Sequence, residues 1–119
     1  MILLTMIFLH IVDDYYLQGI LAQMKQKKFW KEQAPDEKYK HDYIWALIMH
    51  AFSWAFMIML PLAVAGSTGP VFYILFTINV ILHAAIDNLK ANRYELNLWE
   101  DQIMHMLQII STYFILGGF

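Results

Sequence analysis

The sequence predicts an all-α fold, a polytopic membrane protein built as a bundle of four transmembrane helices. Hydrophobic residues make up 60% of the 119-residue chain and charged residues 15%, which is too apolar for a soluble domain of ordinary composition. The apolar residues fall into four stretches, each near the ~20 residues that a helix needs to cross a bilayer. Because four spans and short links fill this length, we expect residues 1–119 to form a single domain.

Two basic links and one short turn connect the predicted spans. The turn has the sequence Gly-Ser-Thr-Gly-Pro at residues 66–70, a turn signal that makes spans two and three an antiparallel hairpin. Pro61 is expected to kink the end of the second span. The predicted spans cover residues 1–22, 42–65, 71–89 and 98–119.

The basic residues predict how the chain is oriented in the membrane. All eight Lys and Arg lie in the link at residues 23–41 or in the link after the third span, and the turn at 66–70 has none. By the positive-inside rule both basic links are cytoplasmic and both termini lie on the opposite side. We therefore expect a multi-pass protein of the inner cell membrane whose main partner is the lipid bilayer. A homo-oligomer is compatible with the sequence, and no nucleic-acid partner is expected.

Polar residues within the spans recur at intervals of four, so each set lies on one face of its helix. Asp13 is an exception, because it lies about 100° around the helix from Asp14 and is predicted to face elsewhere. The second span adds His50 and Ser53 without such a repeat. The repeated sets are His10, Asp14 and Gln18 in span one, Asn79, His83 and Asp87 in span three, and Asp101 and His105 in span four.

The order of the histidines and aspartates reverses with the direction of the helix. Spans one and three run inward and carry His before Asp, whereas span four runs outward and carries Asp before His. This order places Asp14, Asp87 and Asp101 nearer the cytoplasm, with one histidine of each span a turn deeper, about 6 Å at ~1.5 Å per residue. Counting from the basic ends puts His50 at a similar depth. We therefore expect these side chains to meet in one polar cluster near the cytoplasmic face.

Such a cluster is costly to bury, because an Asp at the centre of a spanning helix is unfavourable by roughly 2.5 to 3.5 kcal/mol on insertion scales. The polar side chains must therefore face the interior of the bundle. Imidazole and carboxylate together suit Zn²⁺ or another divalent first-row metal, and helical pairs four residues apart present two ligands to one ion. The candidate metal ligands are His10, Asp14, His50, His83, Asp87, Asp101 and His105.

These candidates exceed the four ligands of one tetrahedral shell. Either two ions bind, or some of the aspartates orient the imidazoles or act as a general base. In the leading hypothesis the histidines of spans one, three and four hold the ion together with Asp87 or Asp14, and another carboxylate activates water. Asp14 and Asp101 are the predicted catalytic residues.

Three sequence motifs carry these residues. Residues 10–18 read His-Ile-Val-Asp-Asp-Tyr-Tyr-Leu-Gln, residues 83–90 place Lys three positions after the His-x3-Asp pair, and residues 101–105 read Asp-Gln-Ile-Met-His. They resemble the H-x3-D-F-x-L-Q, H-x3-D-x2-K and D-Q-x2-H motifs of a family of small bacterial and phage membrane proteins, domain of unknown function 3307. Tyr15 replaces the Phe, and His50 lies where the family has a histidine in its second span. The resemblance implies one shared site and no activity, since none is established for the family.

Several functions fit this pattern. The leading one is a metal-dependent hydrolase within the membrane, with its site open to the cytoplasm. A proton or divalent-metal transporter or channel subunit would use the same side chains as a relay, although polar groups in the outer half are few, mainly Ser53, Gln108, Ser111 and Thr112. The remaining alternatives are a non-catalytic module that binds a membrane ligand or partner, and a purely structural role in helix packing. The sequence does not specify a substrate.

Overall fold

The computed structural model describes residues 1–117, and this part of the chain is helical without any strand. The predicted all-α class is therefore confirmed. Four long helices are joined by short helical segments in the first link. The elements are α1 (Ile2–Val12, continued by a π-helical segment Asp13–Leu17), α2 (Leu21–Met24), α3 (Lys27–Gln33), a 3₁₀ turn (Glu37–Tyr39), α4 (Asp42–Val64), α5 (Pro70–Ala91) and α6 (Leu98–Leu116).

Local sequence signals account for most helix ends. The turn between α4 and α5 contains Gly66 with φ +94°, and Pro70 occupies the first position of α5, where its missing N–H costs nothing. Helix α6 begins with a capping box, in which the Asn97 side chain accepts from the Glu100 N–H and the Glu100 side chain accepts from the Asn97 N–H. Helix α4 continues through Pro61 to Val64.

The first predicted span is wrong at its C-terminal end. The helix that begins at Ile2 ends at Leu17, and Gly19 adopts φ +55°, a left-handed conformation that glycine tolerates best. The chain turns there, so Leu21–Met24 forms a separate short helix. Residues 2–17 extend about 24 Å at ~1.5 Å per residue, less than the ~30 Å of a bilayer core. The predicted end of span four at residue 119 lies outside the described residues.

Helix α4 is the centre of the bundle and packs against α1, α5 and α6. Fully buried apolar side chains from three helices form the core, and partly buried residues of α5 complete it. This apolar core lies at the end of the bundle that carries the turn at 66–70. The buried core residues are Met6 of α1, Trp54, Ala55, Ile58, Met59 and Leu62 of α4, and Ile109 of α6.

The outer surface of the bundle is apolar on every long helix. Phe8 of α1 is 61% exposed, and Phe52, Ile81 and Leu107 show that the same holds for α4, α5 and α6. Soluble monomers rarely expose apolar surface on this scale. Within residues 1–117, two helical stretches are long and apolar enough to cross a membrane, Glu37–Val64, which joins the 3₁₀ turn to α4, and Pro70–Ala91.

Candidate metal centre

The structure brings side chains from all four long helices together at the end of the bundle opposite the turn at 66–70. His50 Nε2 of α4 lies 3.1 Å from Asp14 Oδ1 of the π-helical segment. His105 Nε2 of α6 lies 3.3 Å from Asp87 Oδ1 of α5 and 3.4 Å from Asp101 Oδ1 of its own helix. All seven predicted ligand residues lie in this one cluster.

Asp87 lies at the centre of the cluster. Its Oδ1 faces His105, whereas its Oδ2 lies 3.5 Å from His50 Nε2 and 3.6 Å from His83 Nε2. The same Oδ2 accepts a hydrogen bond from Lys25 Nζ at 2.6 Å. One carboxylate thus contacts three of the histidines and a lysine, with its two oxygens directed to opposite sides.

Two sets of three residues have ligand atoms close enough to share one ion. His83, Asp87 and His105 form one set, and Asp14, His50 and His83 form the other, with all atoms of a set within 4.8 Å of one another. In a tetrahedral zinc site with bonds of ~2.0–2.1 Å, adjacent ligand atoms are about 3.3–3.4 Å apart. Asp87 Oδ1 lies 3.3 Å from His105 Nε2, and Asp87 Oδ2 lies 3.6 Å from His83 Nε2, so each histidine meets one oxygen of this carboxylate at about that spacing.

Several polar atoms at this point are buried without a hydrogen-bond partner. They include both ring nitrogens of His83, Nε2 of His105 and Oδ1 of Asp101. A buried polar atom without a partner costs about 1–3 kcal/mol, so such atoms are rare in folded proteins. The unpaired atoms of His83, His105 and Asp101 lie around Asp87. A bound cation would give these atoms a partner.

His105 is oriented by a contact on the far side of its ring. Its Nδ1 lies 3.4 Å from the carbonyl Oε1 of Gln108, an atom that can only accept, so Nδ1 is the donor and Nε2 faces the carboxylates. Metal-binding histidines are commonly held this way by an acceptor on the other nitrogen. Gln108 in turn donates to Asn79 Oδ1 at 3.2 Å, and Asn79 donates to Thr112 Oγ1 at 2.8 Å. These bonds link α5 to α6 in the apolar half.

His10, a predicted metal ligand, does not belong to either set. Trp54 Nε1 donates to His10 Nδ1 at 2.7 Å, and because indole is only a donor, Nδ1 is the acceptor. His10 Nε2 therefore donates to Gln102 Oε1 at 3.0 Å. Both ring nitrogens have protein partners. The side-chain amide of Gln102 also donates to Asp101 Oδ2 at 3.0 Å. His10 thus positions the residues around the site.

Asp13 lies inside the cluster, so the prediction that it faces elsewhere is wrong. The segment Asp13–Leu17 is π-helical, and the wider turn directs both neighbouring aspartates inward. Asp13 Oδ1 accepts from Ser53 Oγ at 2.5 Å, and its Oδ2 lies 3.6 Å from His50 Nδ1. Asp13 is therefore the carboxylate next to Nδ1 of His50, on the opposite side of the ring from Asp14. Ser53 belongs to the cluster and not to the outer half of the bundle.

Two lysines reach the cluster, and the sequence motifs included only one of them. Lys25 is 8% exposed and bonded to Asp87, and Lys90 Nζ lies 3.4 Å from Asp101 Oδ2. Lys90 ends the second motif and was therefore visible in the sequence. Lys25 is one of six lysines in its link. The only local sequence signal for its position was Gly19, where the chain turns back over the cluster.

The family described as protein of unknown function (DUF3307) matches residues 2–118. The chain belongs to this family. The resemblance carried by the three motifs is thereby confirmed. No curated protein and no solved structure matches the chain, so membership of the DUF3307 family brings no activity with it, and the function has to be argued from the site.

Proposed function

We propose that this DUF3307 protein is an integral membrane protein in which all four long helices span the bilayer, with the bilayer thinned locally around the ~24 Å of the first helix. Beyond the two helices of sufficient length and apolarity, α1 and α6 also expose large apolar side chains, such as Phe8 at 61% and Leu107 at 54%. The ionisable residues His10, Asp101 and His105 of these helices instead face the bundle interior. Apolar surface outside and ionisable groups inside is the distribution that hydrocarbon surroundings favour.

Both termini are proposed to lie outside the cytoplasm in a multi-pass inner-membrane arrangement, because all eight basic residues lie in the first and third links. Reporter fusions inserted in the turn at 66–70 should score as external, and fusions after Gln33 or Arg93 as cytoplasmic. Fusions that give the opposite pattern would reverse the orientation and place the cluster near the other face.

The function that the site supports best is binding of a divalent metal ion by His83, Asp87 and His105. The observation that carries this proposal is the set of buried, unpaired atoms, His83 Nε2, His105 Nε2 and Asp101 Oδ1, around the Asp87 carboxylate. Three protein ligands leave one position of a tetrahedral shell for water. Asp101 Oδ1, 3.4 Å from His105 Nε2, is placed to contact that water.

The charges of the cluster also support a divalent ion. When the histidines are neutral, as binding to a metal requires, four carboxylates face two lysine ammonium groups, an excess of two negative charges. Unbalanced charge in a low-dielectric interior is strongly unfavourable, and one divalent ion removes the excess. The carboxylates belong to Asp13, Asp14, Asp87 and Asp101, and the ammonium groups to Lys25 and Lys90.

Zinc is the metal we propose, because a set of two imidazoles and one carboxylate is a common catalytic zinc site. Zn²⁺ added to chelator-stripped protein in detergent should therefore stabilise it, by about 2.7 kcal/mol at a metal concentration one hundred times Kd. The rise in Tm measures this effect, and Mg²⁺ at the same concentration is the control, because Mg²⁺ prefers all-oxygen sites. A Tm that zinc leaves unchanged would contradict the proposal.

Hydrolysis by the bound ion is the chemistry we propose for this site. A cavity of about 50 Å³ reaches the cluster from the side of the basic links and is lined by Asp14, Lys25, Asp87 and Asp101 among others, and it gives water a path to the open metal position. Bound zinc lowers the pKa of its water to about 7, and a neighbouring carboxylate such as Asp101 accepts the proton.

Transport is disfavoured by the opposite half of the bundle. Met6, Ile58, Met59, Leu62 and Ile109 are fully buried there and close the interior with apolar side chains, whereas a transporter needs an outward-open state. Accessibility of introduced cysteines tests this difference in a chain that has none of its own.

Single cysteines at Gln18 and Thr112 report on the two ends of the interior. A membrane-impermeant thiol reagent should label the Gln18 position from the cytoplasmic side, because that residue lines the cavity, and should leave the buried Thr112 position unlabelled from either side. Labelling of Thr112 from outside, blocked by added zinc, would replace the hydrolase proposal with transport.

A further inference from the structure

Lys25 places a positive charge at a point where the geometry also fits a second metal ion. We infer that the cluster has two cation positions bridged by Asp87, and that the Lys25 ammonium occupies the second one until a divalent ion displaces it. The inference rests on the proposed metal-binding function and adds the ligands of a second ion and the residue that controls its entry.

The second position is centred on His50, which shares a candidate ligand set with Asp14 and His83 and also faces Asp87. Asp14 Oδ1 lies 3.1 Å and Asp87 Oδ2 lies 3.5 Å from His50 Nε2, close to the ~3.3–3.4 Å between adjacent ligands of a tetrahedral ion. Metal-binding imidazoles usually have an acceptor at their second ring nitrogen. For His50 this acceptor is Asp13, whose Oδ2 lies 3.6 Å from His50 Nδ1. His83 lies between the two positions, but its Nε2 can bind only one ion.

Asp87 provides the bridge between the two positions. Its Oδ1 faces His105 of the first position, and its Oδ2 faces His50 of the second position and His83 between the two, so the carboxylate spans both positions. A carboxylate shared between two ions is typical of metal sites inside helical bundles. Two-metal sites of this kind bind and activate oxygen-containing substrates more strongly than a single ion does.

The Lys25 ammonium lies on the oxygen that the second ion would use. Nζ donates to Asp87 Oδ2 at 2.6 Å, and the side chain is buried. An ammonium group and a divalent ion cannot both contact this oxygen closely, because like charges repel strongly in a low-dielectric interior. The two cations therefore compete for Asp87, and the lysine, being attached to the chain, has the advantage at low metal concentration.

The fold holds Lys25 in place through its backbone. Asn92, at the end of α5, donates to the Lys25 carbonyl oxygen at 2.9 Å and accepts from the Lys27 N–H at 2.7 Å. Asn88 fixes the Asn92 side chain at 2.8 Å. A cavity of about 280 Å³ lies beside Lys25, lined by Gln18, Gln26, Tyr94 and others. This polar space can receive the lysine side chain when it leaves Asp87.

Metal stoichiometry tests the inference directly. Purified protein in detergent is titrated with Zn²⁺, and bound zinc per chain is counted after dialysis. Wild type should retain about one ion per chain, whereas Lys25→Met, which keeps the side-chain length and removes the charge, should retain about two. The affinity for the second ion should rise at least about tenfold, because a charge in contact with the site has been removed. Adding His50→Ala to Lys25→Met should return the count to one.

Two control variants separate charge from structure. Lys25→Arg keeps the charge and should behave as wild type, and Lys28→Met, on an exposed lysine of the same link, should also retain one ion. If Lys25→Met does not fold, Asn92→Ala carries the test, because it frees the backbone of Lys25 and should raise the second affinity without touching the cluster. If wild type binds one ion and the folded variant also binds one ion with unchanged affinity, this inference is overturned and the proposed function is not. No ion in wild type overturns the proposed function.

Discussion

Replacement of His105 by alanine is expected to lower the affinity for Zn²⁺ by more than about 100-fold, because the variant loses a direct ligand and losing an indirect partner already costs 10- to 100-fold. His105 is fully buried, and its unpaired Nε2 lies between Asp87 and Asp101. Competition with a zinc-sensitive dye measures Kd. The same loss is expected for His83→Ala.

His41→Ala is the matched control for the histidine variants. His41 is the one histidine outside the cluster and lies exposed at the start of α4, so its removal should leave Kd and Tm within error of wild type. Equal losses of affinity in His41→Ala and His105→Ala would show that zinc binds to histidines unspecifically, and would contradict the assigned site.

Asp87→Asn is expected to have the largest effect on stability, a loss of about 3–5 kcal/mol, because it leaves a buried charge without its partner. Asp87 is 5% exposed and accepts from Lys25 at 2.6 Å while facing three histidines. Asparagine keeps the volume of the side chain but not its charge. Unfolding of the detergent-solubilised protein by chemical denaturant measures the loss.

A double variant distinguishes the ion pair from other effects of the substitution. Lys25→Met combined with Asp87→Asn removes both charges, and it should recover part of the lost stability, because a missing pair costs less than a single unpaired charge. Asp42→Asn at the start of α4 is the control and should change stability by less than about 0.5 kcal/mol. If Asp87→Asn proves as mild as Asp42→Asn, the buried pair does not stabilise the bundle.

The sequence predicted the four long helices and the meeting of His83, Asp87 and His105 because both follow from local periodicity, whereas His50 was placed by its depth from the basic ends. Residues four apart share a helix face. The reversed order of Asp101 and His105 predicted that they lie at the same depth in the bundle as the His and Asp residues of the other helices. These regularities hold along one helix and need no knowledge of its neighbours. The DUF3307 motifs point to the same residues.

The remaining features depend on contacts between distant segments, which periodicity does not show. Lys25 reaches Asp87 only because Gly19 ends α1 and Asn92 binds the backbone of the link. His10 has the same spacing as His83, but it is the one that meets the indole N–H of Trp54 and the amide of Gln102. Asp13 turns inward because the helix widens at that point, a local change that the ideal helical angle misses.

Zinc content of the wild-type protein, purified without chelator, loaded with Zn²⁺ and dialysed, tests the central claim most directly. The site formed by His83, Asp87 and His105 predicts about one tightly bound ion per chain, and none in the His83→Ala/His105→Ala double variant. Folded wild-type protein that retains no zinc, or a double variant that retains as much as wild type, would contradict the claim that this cluster binds metal.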